Sequence, residues 1–137
     1  MEKRIIYKLY KAEHRIRNFM KRRSKEKSIE VSAGQSGILF LLHNKSVKMS
    51  ELGRNLGIDN SAITRQVDTL EGKGLVKREV NPSDRRQYII SLTEKGRQDV
   101  KILSKIANDT NKKIKDGFTE SEIDIFIRVL TSFEEKF

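Results

Sequence analysis

A mainly α-helical domain carrying one small β-hairpin is the fold class that this sequence predicts, and three observations predict it. Apolar stripes at helical spacing run through both ends of the chain. Two short amphipathic helices separated by a glycine occupy residues 50–72. Directly after them, residues 76–80 and 86–92 alternate in polarity like strands, around a turn that holds Pro82, the only proline. About six helices fit into 137 residues, enough for a single domain with a core of its own.

The first helix is expected over residues 3–25. Ile5, Leu9, Ile16, Phe19 and Met20 share one stripe, and Arg4, Lys8, Lys11, Arg15 and Arg22 share a basic one. Residues 1–27 hold 11 Lys/Arg against 3 Asp/Glu, so most of the net charge of +10 sits here. The plain reading is a solvated face; the sharper one is an auxiliary phosphate contact, or a rim around an anionic ligand. Residues 24–32 read as a connector. Ser32 or Ala33 opens the second helix, where Ile38, Leu39, Leu41 and Leu42 make an apolar barrel for the domain centre, ended by His43, Asn44 and Lys45.

Ser50 is expected to cap the third helix, which Gly57 stops. Asp59 or Asn60 caps the fourth, with Ile63, Val67 and Leu70 turned inward and Gly72 and Gly74 at its end. On the second strand of the hairpin, Tyr88, Ile90 and Leu92 fall on one face. Thr93 caps a long fifth helix with Val100, Leu103, Ala107, Thr110 and Ile114 on a stripe. A capping box of Thr119 with Glu122 begins the last helix.

In that last helix Ile123, Phe126, Ile127, Leu130 and Phe133 form an apolar face too large for the exposed end of a small monomer. Together with Ile5, Leu9 and Ile16 it is expected to build a homodimer interface from both chain termini. One domain, residues 1–137, thus divides into dimerisation helices (1–31 and 97–137) and a lobe (33–96) that holds the two short helices and the hairpin.

Composition narrows the function. With 35% charged residues and a net charge of +10, the chain favours a polyanionic partner. No apolar run approaches the roughly 20 residues needed to span a bilayer, and the N-terminus has no uninterrupted apolar segment of the kind a signal peptide needs. A cytoplasmic location without membrane contact is expected. The absence of cysteine excludes disulfides, thiolate metal sites and thiol redox sensing, and His14 and His43 alone are too few for a histidine zinc site. No metal and no cofactor are expected. Nor is catalysis: there is no nucleophile beside a base, no carboxylate cluster, and no glycine-rich phosphate loop after a strand.

Two helices around a tight turn, followed by a basic ribbon, suit double-stranded DNA. The first helix braces, the second presents its N-terminal residues to base edges, and the ribbon reaches the backbone or minor groove alongside. Between Asn60 and Val67 the reading helix carries no acid, in a chain with 19 acids. Its outward Ser, Thr, Ala, Gln and Arg side chains are types that bond phosphates or base edges. The DNA-binding candidates are Ser50 on the bracing helix; Asn60, Ser61, Ala62, Thr64, Arg65, Gln66 and Thr69 on the reading helix; and Arg78, Asp84, Arg85 and Arg86 on the hairpin. Asp84 is expected to pair with an arginine and hold it extended. The plain alternatives are an ordinary surface helix and an exposed hairpin with a minor surface salt bridge.

The chain resembles the multiple-antibiotic-resistance regulator (MarR) family of winged helix-turn-helix proteins. The matching residues include Leu56-Gly57-Ile58, Ser61-Ala62-Ile63-Thr64-Arg65, Leu70-Glu71-Gly72-Lys73-Gly74-Leu75-Val76, Asp84-Arg85-Arg86 and Leu92-Thr93-Glu94-Lys95-Gly96. The resemblance implies a homodimeric transcription regulator, in most cases a repressor, that binds a palindromic operator. It also implies that Asp84 positions Arg86 into the minor groove. Members of the family bind small aromatic or anionic effectors in a crevice between the dimer helices and the DNA-binding lobe. Tyr10, His14, Phe40 and His43 are candidates for such a crevice by position and chemistry, and each also reads as ordinary packing or surface. The competing function class is a non-specific, architectural nucleic-acid-binding winged helix. RNA fits less well, because the exposed strands offer no aromatic platform for base stacking.

Overall fold

The computed structural model describes residues 4–137. Six helices and three short strands follow one another as α1 (Ile5–Glu26), α2 (Ala33–Leu41), β1 (Val47–Lys48), α3 (Met49–Leu56), α4 (Asn60–Gly72), β2 (Val76–Asn81), β3 (Asp84–Leu92), α5 (Glu94–Lys115) and α6 (Glu120–Lys136). Residue 3, where the first helix was expected to start, lies outside the described residues. The helix runs on to Glu26, so Ser24 belongs to it and not to the connector; its buried hydroxyl donates to the Met20 carbonyl at 2.9 Å.

Local chemistry sets most of the boundaries. Ser32 caps α2 in a capping box with Gln35, Thr93 caps α5 by accepting from Gly96 N–H, and Thr119 forms the expected box with Glu122. Gly57 ends α3 in the left-handed conformation, at φ 64°, which an L side chain adopts only with strain. Ser50 does not cap α3. The cap position is Lys48, without a side-chain bond, and the helix starts at Met49 because the chain enters it directly from a strand.

That strand turns the expected two-stranded wing into a three-stranded antiparallel sheet in the order β1-β3-β2. Val47 and Lys48 pair with Ile90 and Ile89. Two residues are too few for a period-2 pattern to show in a sequence. The β2–β3 ladder runs regularly from Val76↔Leu92 to Val80↔Tyr88, then shifts before Asn81↔Asp84 and so twists the tip of the wing.

The core lies between α2, α3, α4, the base of the sheet and the first half of α5. Ile38, Leu39, Leu52, Ile63, Val67, Leu70, Ile90 and Val100 are fully buried there. On α5 the buried stripe is Gly96, Val100, Leu103, Ile106 and Thr110; Ile106 takes the place expected for Ala107, which is half-buried. Gly96 is required at its position, because a Cβ there would sit 2.0 Å from the Leu75 carbonyl oxygen. The start of α5 is also pinned to the turn after α4: Thr93 Oγ1 donates to Gly74 O at 2.6 Å and Lys95 Nζ to Lys73 O at 3.2 Å.

The terminal helices behave differently. The only buried residue on α1 is Ser24, and α6 has none. Leu9, Ile16, Phe19 and Met20 are half-buried, while Ile5, Ile6, Tyr7 and Tyr10 are exposed. On α6, Ile123 and Phe133 are half-buried, and Phe126, Ile127 and Leu130 are exposed at 46%, 51% and 38%. An apolar face of this size on one helix is not the surface of an isolated small domain.

Candidate nucleic-acid interface

The N-terminal end of α4 stands free of the core, and Asp59 builds it. One carboxylate oxygen accepts from Ala62 N–H at 2.9 Å and from Ser61 Oγ at 2.7 Å. These bonds, the Ala62 one foremost, hold the Asp59 carboxyl below its ordinary pKa. Inward, Ile63, Val67 and Leu70 lock the helix to the core at 0% exposure. Outward, Asn60, Ser61, Thr64, Arg65 and Thr69 are exposed and Ala62 is half-buried.

The hydroxyls on this face are already oriented. Thr64 Oγ1 donates to Asn60 O at 2.8 Å and Thr69 Oγ1 to Arg65 O at 3.0 Å. With their protons committed to backbone carbonyls, both oxygens keep lone pairs that can accept. The face therefore offers acceptors around one unpaired guanidinium, Arg65, and the positive end of a helix dipole.

Gln66 stands apart from this set. It is half-buried, and its side-chain carbonyl accepts from Gln35 Nε2 at 3.0 Å. Gln35 in turn takes Lys73 Nζ at 3.3 Å. Gln66 therefore ties α4 to α2 and does not stand free on the reading face as expected.

The wing tip has the expected pair. Arg86 donates to both Asp84 carboxylate oxygens, from Nε at 3.1 Å and from a terminal nitrogen at 3.3 Å, and its backbone N–H adds a third bond at 3.1 Å. The Arg86 side chain is nonetheless 90% exposed. The carboxylate holds the guanidinium from behind and leaves its other edge to solvent. Arg86 side-chain and backbone bonds, with a further contribution from nearby Lys48, keep the Asp84 carboxyl below its ordinary pKa. Lys48 was not among the candidates, because only the β1–β3 pairing brings it to the wing. Arg85 is exposed beside the pair.

Arg78 is placed differently from expectation. Its side chain is only 21% exposed and is ion-paired with Asp68 of α4. It is not a free arm for phosphate. Ser50, in the first turn of α3, is exposed.

The four effector candidates are not gathered at one described cavity. Tyr10 and His14 are exposed on α1, with His14 Nε2 3.0 Å from Asn18 Nδ2, and Phe40 and His43 are exposed near the end of α2. An open cavity of about 430 Å³ lies instead between the end of α1, the α1–α2 connector, the α4–β2 turn and the start of α5. Among the described residues, no group of three or more His, Asp or Glu side chains could hold a metal ion, and no helix is long and apolar enough to cross a membrane.

A bracing helix, an exposed reading helix and a basic wing on a three-stranded sheet define a winged helix-turn-helix protein. Residues 31–88 match the model of the MarR family. The family is one of non-enzymatic transcription regulators. Solved structures place the whole chain in the same fold. The MepR–DNA complex of S. aureus superposes with a TM-score of 0.89 at 18% identity, covering 99% of this chain and 100% of that one. The transcriptional repressor CouR, bound to a 23-mer DNA duplex, gives 0.83 at 26% identity, covering 95% and 92%. A mutant MarR from E. coli complexed with operator DNA gives 0.80 at 21% identity, covering 91% and 89%.

Proposed function

We propose that the chain is a cytoplasmic, sequence-specific reader of double-stranded DNA that represses transcription as a homodimer on a palindromic operator. The observation that carries this reading is the pairing of two free surfaces: a pre-oriented reading face that holds no acid from Asn60 to Val67, and Arg86 held outward by Asp84. The first suits the major groove, the second a narrow, electronegative minor groove beside it. Bound duplexes in the CouR, MepR and E. coli MarR structures support the reading.

In this proposal residues 33–96 read DNA, and residues 1–31 and 97–137 join two copies. A two-fold dimer presents two reading helices, which meet successive major grooves about 34–36 Å apart. A small aromatic or anionic effector that changes that spacing releases the DNA. Footprinting on the DNA flanking the chain's own gene tests the proposal. It is expected to show two protected half-sites about one helical turn apart. Uniform protection without a preferred site would instead indicate an architectural protein held by net charge.

A further inference from the structure

Arg78 sits on β2 directly opposite Ile90, whose side chain is fully buried. Directly opposed residues of an antiparallel pair share a face, so Arg78 points toward the core side of the sheet, where α4 packs. Its guanidinium bonds Asp68 on α4 and lies over the Tyr88 ring of β3, 5.5 Å from the centroid. Nε is buried with no acceptor. A charge placed this way is weak evidence for stability, since an apolar side chain opposite Ile90 would avoid the desolvation cost. What the arrangement does supply is a link between three elements: the reading helix α4, the outer strand β2 and the central strand β3, which carries Arg86.

We infer that Arg78 is a positioning residue, clamped between Asp68 and Tyr88, that fixes the wing relative to the reading helix so that Arg86 and α4 engage one duplex together. The inference rests on the DNA-reading function proposed above. It assigns Arg78 no contact with DNA. Arg78 was among the DNA-contact candidates on charge alone, and its 21% exposure argues against that role.

The test is a double-mutant cycle between Asp68→Ala and Arg86→Ala, read with the duplex that the wild-type chain selects from a random-sequence library. Asp68 is 58% exposed and Ala is the best helix former, so folding is preserved. In the wild-type background Arg86→Ala is expected to weaken binding about 5- to 150-fold. In the Asp68→Ala background the same change is expected to weaken it less than about twofold, because an unheld wing contributes little. Simple electrostatics predicts the opposite for Asp68→Ala alone: removing an acid from the DNA-facing helix would tighten binding. Equal factors in both backgrounds, or tighter binding by Asp68→Ala with the full Arg86 effect retained, overturn the inference.

A second measurement needs no DNA. Because the chain has no cysteine, spin labels can be placed cleanly at Ser83→Cys on the wing and Glu71→Cys on α4. Asp68→Ala and Arg78→Met are each expected to broaden the distance distribution between them; an unchanged width overturns the clamp. If the wild type selects no duplex but the distances broaden, the DNA-reading function fails and only the mechanical link stands.

Discussion

At the wing tip, Asp84 uses both carboxylate oxygens on Arg86 while the guanidinium stays 90% exposed. Arg86→Ala is therefore expected to weaken operator binding by about 1–3 kcal/mol without moving the melting temperature, as measured by fluorescence anisotropy and thermal unfolding. The pair also makes a titration prediction. The folded Asp84 pKa is lowered, chiefly by Arg86, so the pairing holds above the ordinary carboxylate value of about 3.9 and is lost only as pH falls through the lower folded value. A carboxyl-carbon NMR titration should place the Asp84 midpoint below that ordinary value, and Arg86→Ala should return it upward. At this scale the sequence was legible where partners are near neighbours: Asp84 and Arg86 are two residues apart. It was misleading where partners come from packing. Gln66 bonds a residue 31 positions away and Arg78 one 10 positions away, and neither tie leaves a local pattern.

Among the elements, caps carried most of the legible signal, since a Ser, Thr or Asp before an apolar run bonds a backbone N–H two or three residues on. Asp59, Thr93 and Thr119 all do so. Ser50 has the same residue chemistry and fails, because pairing of Val47 and Lys48 with β3 puts the cap position two residues earlier, at Lys48. Asp59→Ala should cost about 1 kcal/mol of stability in urea unfolding. It should also weaken DNA binding, since the same carboxylate orients Ser61. The Leu92–Gly96 stretch illustrates a motif with a mechanical cause. Thr93 caps α5 and grips the α4–β2 turn, and Gly96 admits the Leu75 carbonyl where a Cβ would lie 2.0 Å away. Gly96→Ala is thus expected to destabilise the lobe by more than the Asp59 change, and a urea midpoint equal to wild type would refute that close contact.

For the whole molecule, the division of burial is the telling feature. The lobe between α2 and the first half of α5 closes its own core, whereas α6 buries nothing and α1 only Ser24. The apolar spacing on both terminal helices was legible in the sequence, and the size of the faces is what raised the expectation of a homodimer interface. Phe126→Asp or Leu130→Asp is expected to give monomers in sedimentation, with duplex affinity reduced roughly 100-fold or more through loss of the second half-site. Dimers persisting in either variant would place the interface elsewhere. The central claim is specific reading of duplex DNA, and equilibrium binding in about 200 mM salt tests it most directly, comparing the DNA flanking the chain's own gene with a random duplex of equal length. The account predicts a preference of roughly 1,000-fold or more for the flanking DNA. Equal affinities for the two duplexes would contradict it.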